Sequence, residues 1–245
     1  MIKKFLFQTL FKKFNNITLN INLKPKNIDF EGKKCLCLAP HPDDEAIGLG
    51  GVLNLYPQNF KVILLTNGAK GIPDKSETET IEIRAREFEC AMNYAGINNF
   101  ETLNIQDKEL LKAYDTFKNI NFSEFDYIFL PNLIDQHPDH KAVSILLAQA
   151  IQKGVNFKKD VQIVFYEVWS ALPFANIAID IEDVIDKKQE MINQYPSQTA
   201  TKDYNYHILG LNQYRGIFKN KKYMEAFFVM DKNEFLDVCG LYKIS

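Results

Sequence analysis

Ala39-Pro40-His41-Pro42-Asp43-Asp44-Glu45, followed by Gly48-Leu49-Gly50-Gly51, is the stretch on which the fold turns. It begins where an apolar run, Cys35-Leu36-Cys37-Leu38-Ala39, ends. A continuous apolar run this short reads as a buried strand. Residues 45–55 read as a helix, stopped by Pro57. One imidazole and three carboxylates are therefore crowded into a strand-to-helix turn. Open α/β sheets place their ligands there, at the carboxyl ends of strands. A second cluster, His137-Pro138-Asp139-His140, follows a second apolar run, Tyr127-Ile128-Phe129-Leu130, and opens a helix over 142–152.

Working outward, 61–66, 101–105, 161–168 and 225–230 also read as strands. Residues 79–94, 109–118 and 184–195 read as helical, and Gly96 as a helix stop. Residues 71–78 read as a loop. Ile17-Thr18-Leu19-Asn20-Ile21-Asn22-Leu23 alternates with period two, as an edge strand does. Strands alternating with helices predict an α/β fold, a Rossmann-like, mostly parallel sheet with helices on both faces. No repeat, low-complexity tract or linker divides the chain, so residues 17–245 are expected to form a single domain. Residues 1–16 stand apart: Lys3, Lys4, Lys12 and Lys13 are interleaved with Ile2, Phe5, Leu6, Leu10, Phe11 and Phe14. Such a basic amphipathic segment suits peripheral contact with an anionic membrane surface, or packing on the domain or on a second subunit.

The formal charge is −2, which excludes nucleic acid as a bulk electrostatic partner. No stretch approaches the ~20 apolar residues of a membrane span. Cys35 and Cys37 fall on one face of a strand, where disulfide geometry is poor. Together with Cys90 and Cys239 they read as reduced thiols of a cytoplasmic protein, one that is possible also at the inner membrane surface through residues 1–16.

The two clusters carry a recognisable chemistry. His41 and Asp44 at one strand end and His140 at another make an N,O,N set that suits zinc and leaves a fourth position open. Such a set does not select zinc strongly over ferrous iron or cobalt. Asp43 is then available as a general base, and His137 to stabilise charge. Singly, Asp43 or Asp139 would read as a helix cap and Pro138 as a helix start. Three of the chain's 4 histidines lie in these two clusters, however. Gly48, Gly50 and Gly51 lack the spacing of a dinucleotide fingerprint and read as close-packing positions.

Both clusters together resemble the PIG-L/LmbE-like family of metal-dependent N-deacetylases, whose two motifs stand here at 39–45 and 137–140. Weaker echoes are Thr66-Asn67-Gly68, Arg84 with Glu87, Asp107, Tyr195-Pro196-Ser197-Gln198 behind Lys187 and Lys188, and the segments 211–216 and 223–227. The resemblance implies removal of an acetyl group from an N-acetylglucosamine-type sugar, free or on a nucleotide or lipid carrier. It implies His41, Asp44 and His140 as zinc ligands, Asp43 as base and His137 as oxyanion partner. Arg84 and Asp107 become sugar contacts, against readings as a surface ion pair and a helix cap. Asp135 stands where some members place a tyrosine. Tyr166, Trp169 and His207 are open to entering the site, with core or lid packing the favoured reading for each. The site motifs alone also fit a zinc amidase acting on a non-glycan acyl amide or thiol conjugate. A non-catalytic glycan- or membrane-binding module is the other reading; the intact Asp43 speaks against it.

Overall fold

The computed structural model describes residues 27–241. The expected strand at 17–23 and the basic segment 1–16 lie outside them. In chain order the elements are β1 (Cys35–Ala39), α1 (Asp44–Leu55), β2 (Phe60–Thr66), α2 (Glu77–Ala95), β3 (Phe100–Ile105), α3 (Tyr114–Phe117), β4 (Tyr127–Pro131), α4 (Pro138–Gln152), β5 (Gln162–Tyr166), β6 (Ile177–Asp180), α5 (Ile185–Asn193), α6 (Pro196–Thr199), α7 (Tyr204–Arg215), β7 (Met224–Asp231) and α8 (Lys232–Leu241).

The strands form one sheet in the order β3-β2-β1-β4-β5-β7-β6. β1 to β5 are parallel, and β7 runs antiparallel to both β5 and β6. Each central strand is buried on both faces, as the continuous apolar runs require. Cys35 and Cys37 enter one core with Leu49, Val52, Phe88, Met92 and Met191, under α1, α2 and α5. Leu36 and Leu38 enter the other with Val143, Leu146 and Phe235, under α4 and α8. The expected doubly covered sheet is thus observed, and all four cysteines are free thiols.

The differences are local. α2 starts two residues early because Ser76 and Glu79 form a reciprocal cap, with Glu79 N–H on Ser76 Oγ at 3.3 Å and Ser76 N–H on Glu79 Oε2 at 3.1 Å. Gly96 ends it in the left-handed conformation, φ 72°. The expected helix over 109–118 is only the short turn Leu110–Lys112 and α3. β6, α7 and α8 carry no clear period in the sequence. β6 is a four-residue edge strand held by β7.

The chain leaves β1 towards β2 and β3 on one side, then returns to β4 and β5 on the other. The order reverses between β1 and β4, and the crevice at such a switch point is where doubly wound sheets bind ligands. Both polar clusters follow these two neighbouring strands.

Candidate active site

At the end of β1 the chain turns sharply into α1. Asp43 occupies the N-cap position with φ 129°, and its side chain caps nothing. Its carboxylate stands 3.5 Å from Arg84 Nη2 instead. Asp44 accepts the His41 backbone N–H at 2.9 Å, which closes the turn. Glu45 is fully buried; it accepts the Tyr195 hydroxyl and, at 3.3 Å, the Asp43 N–H. Glu45 therefore supports the turn from behind. The glycines do as expected: a methyl on Gly48 would lie 2.3 Å from the Tyr166 ring, and one on Gly51 2.6 Å from Ile181.

At the end of β4, His137 is the N-cap of α4, and its Nδ1 accepts the Asp139 N–H at 3.2 Å. That contact assigns the proton of the neutral ring to Nε2. His140, one turn on, is fully buried. Its Nε2 lies 3.1 Å from Asp44 Oδ2 and its Nδ1 3.2 Å from Asp135 Oδ1, yet neither nitrogen has a hydrogen-bond partner. Asp44 Oδ2 is also 3.3 Å from His41 Nδ1. The three predicted ligand residues are thus brought together around one carboxylate oxygen. Among the described residues, the groups whose ligand atoms all lie within 4.8 Å of one another are His41 with His137 and His140, and His41 with Asp107 and Asp139; neither includes Asp44.

Two carboxylates underrated by sequence reasoning complete the cluster. Asp139, readable as a helix cap, accepts His41 Nε2 at 3.1 Å and the Lys108 N–H at 3.0 Å. Asp135 braces the site. One oxygen takes the His137 N–H at 3.0 Å and faces His140; the other takes the N–H groups of Trp169 and Ser170 at 2.9 and 3.3 Å. The signal for both was their place inside or just before the second motif.

Charge follows geometry. Burial pushes Asp43 up to about 6, opposed by Arg84. Burial pushes Glu45 up to about 8 against its Tyr195 hydrogen bond. Burial alone would raise Asp44 as well, but His140 and His41 outweigh it and hold it far below the usual carboxylate range. In Asp107 the His41 contact likewise overcomes burial, bringing it to about 2. Burial would lower His140, and the carboxylates of Asp44 and Asp135 raise it to about 9. His137 is lowered by burial and by the neighbouring His41 and His140, so its ring is the neutral one.

Arg84 is 2% exposed, which rules out a surface ion pair. It donates to the Pro42 carbonyl, and its Nε and Nη1 are buried without a partner. Asp107 caps no helix; it accepts the Lys70 N–H at 2.9 Å and faces His41 Nε2 at 3.5 Å. Both line a cavity of about 340 Å³ with His41, Asp43, Asp44 and His137. Trp169 also lines it and is 40% exposed, so of its readings the alternative of entering the site holds and core packing does not. Tyr166 is core, its hydroxyl on the Leu38 carbonyl at 2.9 Å. His207 packs on Tyr206 outside the cavity. The C-terminal echoes are structural: Arg215 pairs with Glu167, and Glu225 with Lys188.

A doubly wound α/β sheet thus carries a buried imidazole and carboxylate cluster at its switch point, a donor set suited to a divalent cation. Residues 36–151, from β1 nearly to the end of α4, match the PIG-L family, described as GlcNAc-PI de-N-acetylase. The matched residues, just under half of the chain, hold both motifs and carry its likeness to this family. It is 29% identical over 218 residues to the diacetylchitobiose deacetylase of Thermococcus kodakarensis, covering 77% of this chain and 81% of the relative. It is 27% identical over 194 residues to a probable N-acetyl-α-D-glucosaminyl L-malate deacetylase 2 of Bacillus anthracis, covering 68% and 82%. The crystal structure of the N,N'-diacetylchitobiose deacetylase from Pyrococcus horikoshii superposes with a TM-score of 0.73 at 24% identity, covering 93% of this chain and 94% of that one, and shares the fold.

Proposed function

We propose that the protein is a zinc-dependent hydrolase that removes the acetyl group from an N-acetylglucosamine-type sugar. One observation carries the reading: Asp44 Oδ2 stands between His41 and His140 while its neighbour Asp43, at the cap position, caps nothing. The two imidazoles and the carboxylate fit a divalent cation. His140 Nε2 is buried, 3.1 Å from Asp44 Oδ2 and without a hydrogen-bond partner, a deficit that a cation in that cluster makes good. His41, Asp44 and His140 would hold it, a set suited to zinc and also to ferrous iron. When bound, it supplies a Lewis acid for the acetyl carbonyl and acidifies a water.

The remaining steps belong to the chain. Asp43 takes a proton from the attacking water and returns it to the leaving amine, which cannot depart as an anion. His137 presents Nε2–H to the carbonyl oxygen as charge develops there; a preorganised donor of this kind is typically worth about 3 kcal/mol. Arg84 and Asp107, both lining the cavity, bind sugar hydroxyls. The relatives named for diacetylchitobiose and glucosaminyl-malate support an acetamido sugar as the substrate class.

The test is acetate release from a panel of free and diphosphate-linked acetamido sugars. Wild-type enzyme releases acetate, and Asp43→Ala and His41→Ala lose it. Undiminished release by metal-stripped Asp43→Ala protein would sink the reading.

A further inference from the structure

Tyr195 stands at the corner between α5 and α6, in the stretch Tyr195-Pro196-Ser197-Gln198. It is fully buried and is not a lining residue of the cavity. The corner is clamped to α2. Glu87 accepts both the N–H and the hydroxyl of Ser197, each at 2.7 Å. Gln198 Nε2 donates to the Gly71 carbonyl at 3.1 Å. Gly71 in turn packs closely on Arg84: a methyl there would lie 3.3 Å from the guanidinium Nε. Arg84 and Glu87 are three residues apart on α2, so they are neighbours on its surface. The helix that carries Arg84 therefore also holds the corner that carries Tyr195.

Two lines run from this one side chain to Asp43. The Tyr195 hydroxyl donates to Glu45 Oε1, and the other oxygen of that carboxyl, Oε2, accepts the Asp43 N–H at 3.3 Å. The Tyr195 ring faces the Arg84 guanidinium, whose carbon lies 6.0 Å from the ring centroid. Arg84 Nη2 stands 3.5 Å from the Asp43 carboxylate and donates to the Pro42 carbonyl. Asp43 needs such support. Its φ of 129° strains a residue that bears a side chain, and that side chain makes no cap bond to fix the turn. A sparsely populated backbone conformation persists only where its surroundings over-determine it. Among the described residues, Glu45 is the side chain that receives the Asp43 N–H. Without the Tyr195 hydroxyl, Glu45 loses the side-chain contact that orients its carboxyl.

Resting on the deacetylase reading, we propose that Tyr195 is a positioning residue for the proton transfer: its hydroxyl, acting through Glu45, holds the Asp43 turn so that the carboxylate is aimed at the attacking water. A misplacement of about 1 Å in such a group can cost about 10²-fold in rate. Asp44 is fixed by a separate contact, its Oδ2 on the His41 N–H at 2.9 Å. Loss of the hydroxyl therefore falls on the base and spares the ligand set.

The experiment compares metal-loaded wild type, Tyr195→Phe and the double variant Tyr195→Phe/Glu45→Met on N-acetylglucosamine, N-acetylglucosamine 1-phosphate and N,N'-diacetylchitobiose. On whichever sugar the wild type turns over, Tyr195→Phe is expected to lower kcat about tenfold, with KM within about twofold. Its metal content stays at the wild-type level. In metal-free protein, amide hydrogen exchange read by NMR should run about tenfold faster at Asp43 and be unchanged at a distant core amide such as Leu146. The double variant replaces both partners of the hydrogen bond with apolar groups of similar size, which restores stability and serves if Tyr195→Phe alone does not fold. Its Tm is expected to return towards the wild type while kcat stays low and Asp43 exchange stays fast. A kcat that recovers together with Tm, or a wild-type kcat in Tyr195→Phe, overturns the positioning role and leaves deacetylation standing. Metal lost in parallel with kcat does the same, and failure of both variants to fold assigns the pair to structure and also overturns it. Acetate released by the wild type from none of the three sugars overturns the deacetylase reading together with the positioning role.

Discussion

Asp43 holds a cap position and caps nothing, and its backbone sits at φ 129°, where side-chain-bearing residues are rare. A strained turn held around a buried carboxylate supports the role proposed for Asp43. Asp43→Asn keeps the shape and removes the proton acceptor. It is expected to retain metal, by elemental analysis, while kcat for acetate release falls by about 10²–10⁴-fold. Asp135 acts through His140. Asp135→Asn removes the negative charge that faces His140 Nδ1 at 3.2 Å, and zinc affinity measured by competition with a chelator should weaken about 10–100-fold with the fold intact by circular dichroism. Both motifs could be read from residue types alone. The position of Asp135 could not, because one carboxylate between two backbone amides and an imidazole shows no pattern in the chain.

At the scale of elements, α1 is held by a buried ion pair far from the reacting atoms. Lys188 and Glu225 are 0% and 1% exposed and 2.7 Å apart. Lys188 donates to the Ile47 carbonyl at 2.9 Å, and Glu225 accepts the N–H groups of Gly51 and Val52 at 2.8 and 2.9 Å. Charged side chains from α5 and β7 thus engage both ends of one helical pair in α1, the helix whose first turn carries Asp44. Lys188→Met strands a buried carboxylate and should lower stability by about 3–5 kcal/mol in denaturant unfolding; adding Glu225→Gln should recover part of it. Strands β1, β2 and β4 were legible because two-sided burial writes an unbroken apolar run. β6, α7 and α8 were not, since their stability comes from neighbours: β6 is an edge strand paired only with β7, and α7 is held by contacts such as Asn212 Nδ2 to the Met224 carbonyl at 3.1 Å.

On the scale of the molecule, the site exists because β1 and β4 are neighbours in the sheet. Residues from different crossovers meet in one crevice, so an ion bound there ties them together and stabilises the folded state alone. With zinc about 100-fold above its Kd the gain is about 2.7 kcal/mol, a rise in Tm of about 5–10 °C. Scanning calorimetry should show that shift in wild-type protein and lose it in His140→Ala. No described helix is long and apolar enough to cross a membrane. By itself the sequence determined the alternation of strands and helices and named the candidate acyl-side residues, because burial periodicity and motif spacing are local properties of a chain. Only the tertiary structure decided that the two motifs share a switch point, that Arg84 is buried beside Asp43, and that Trp169 faces the cavity. Those facts depend on which strands pair, and pairing is a property of the whole sheet.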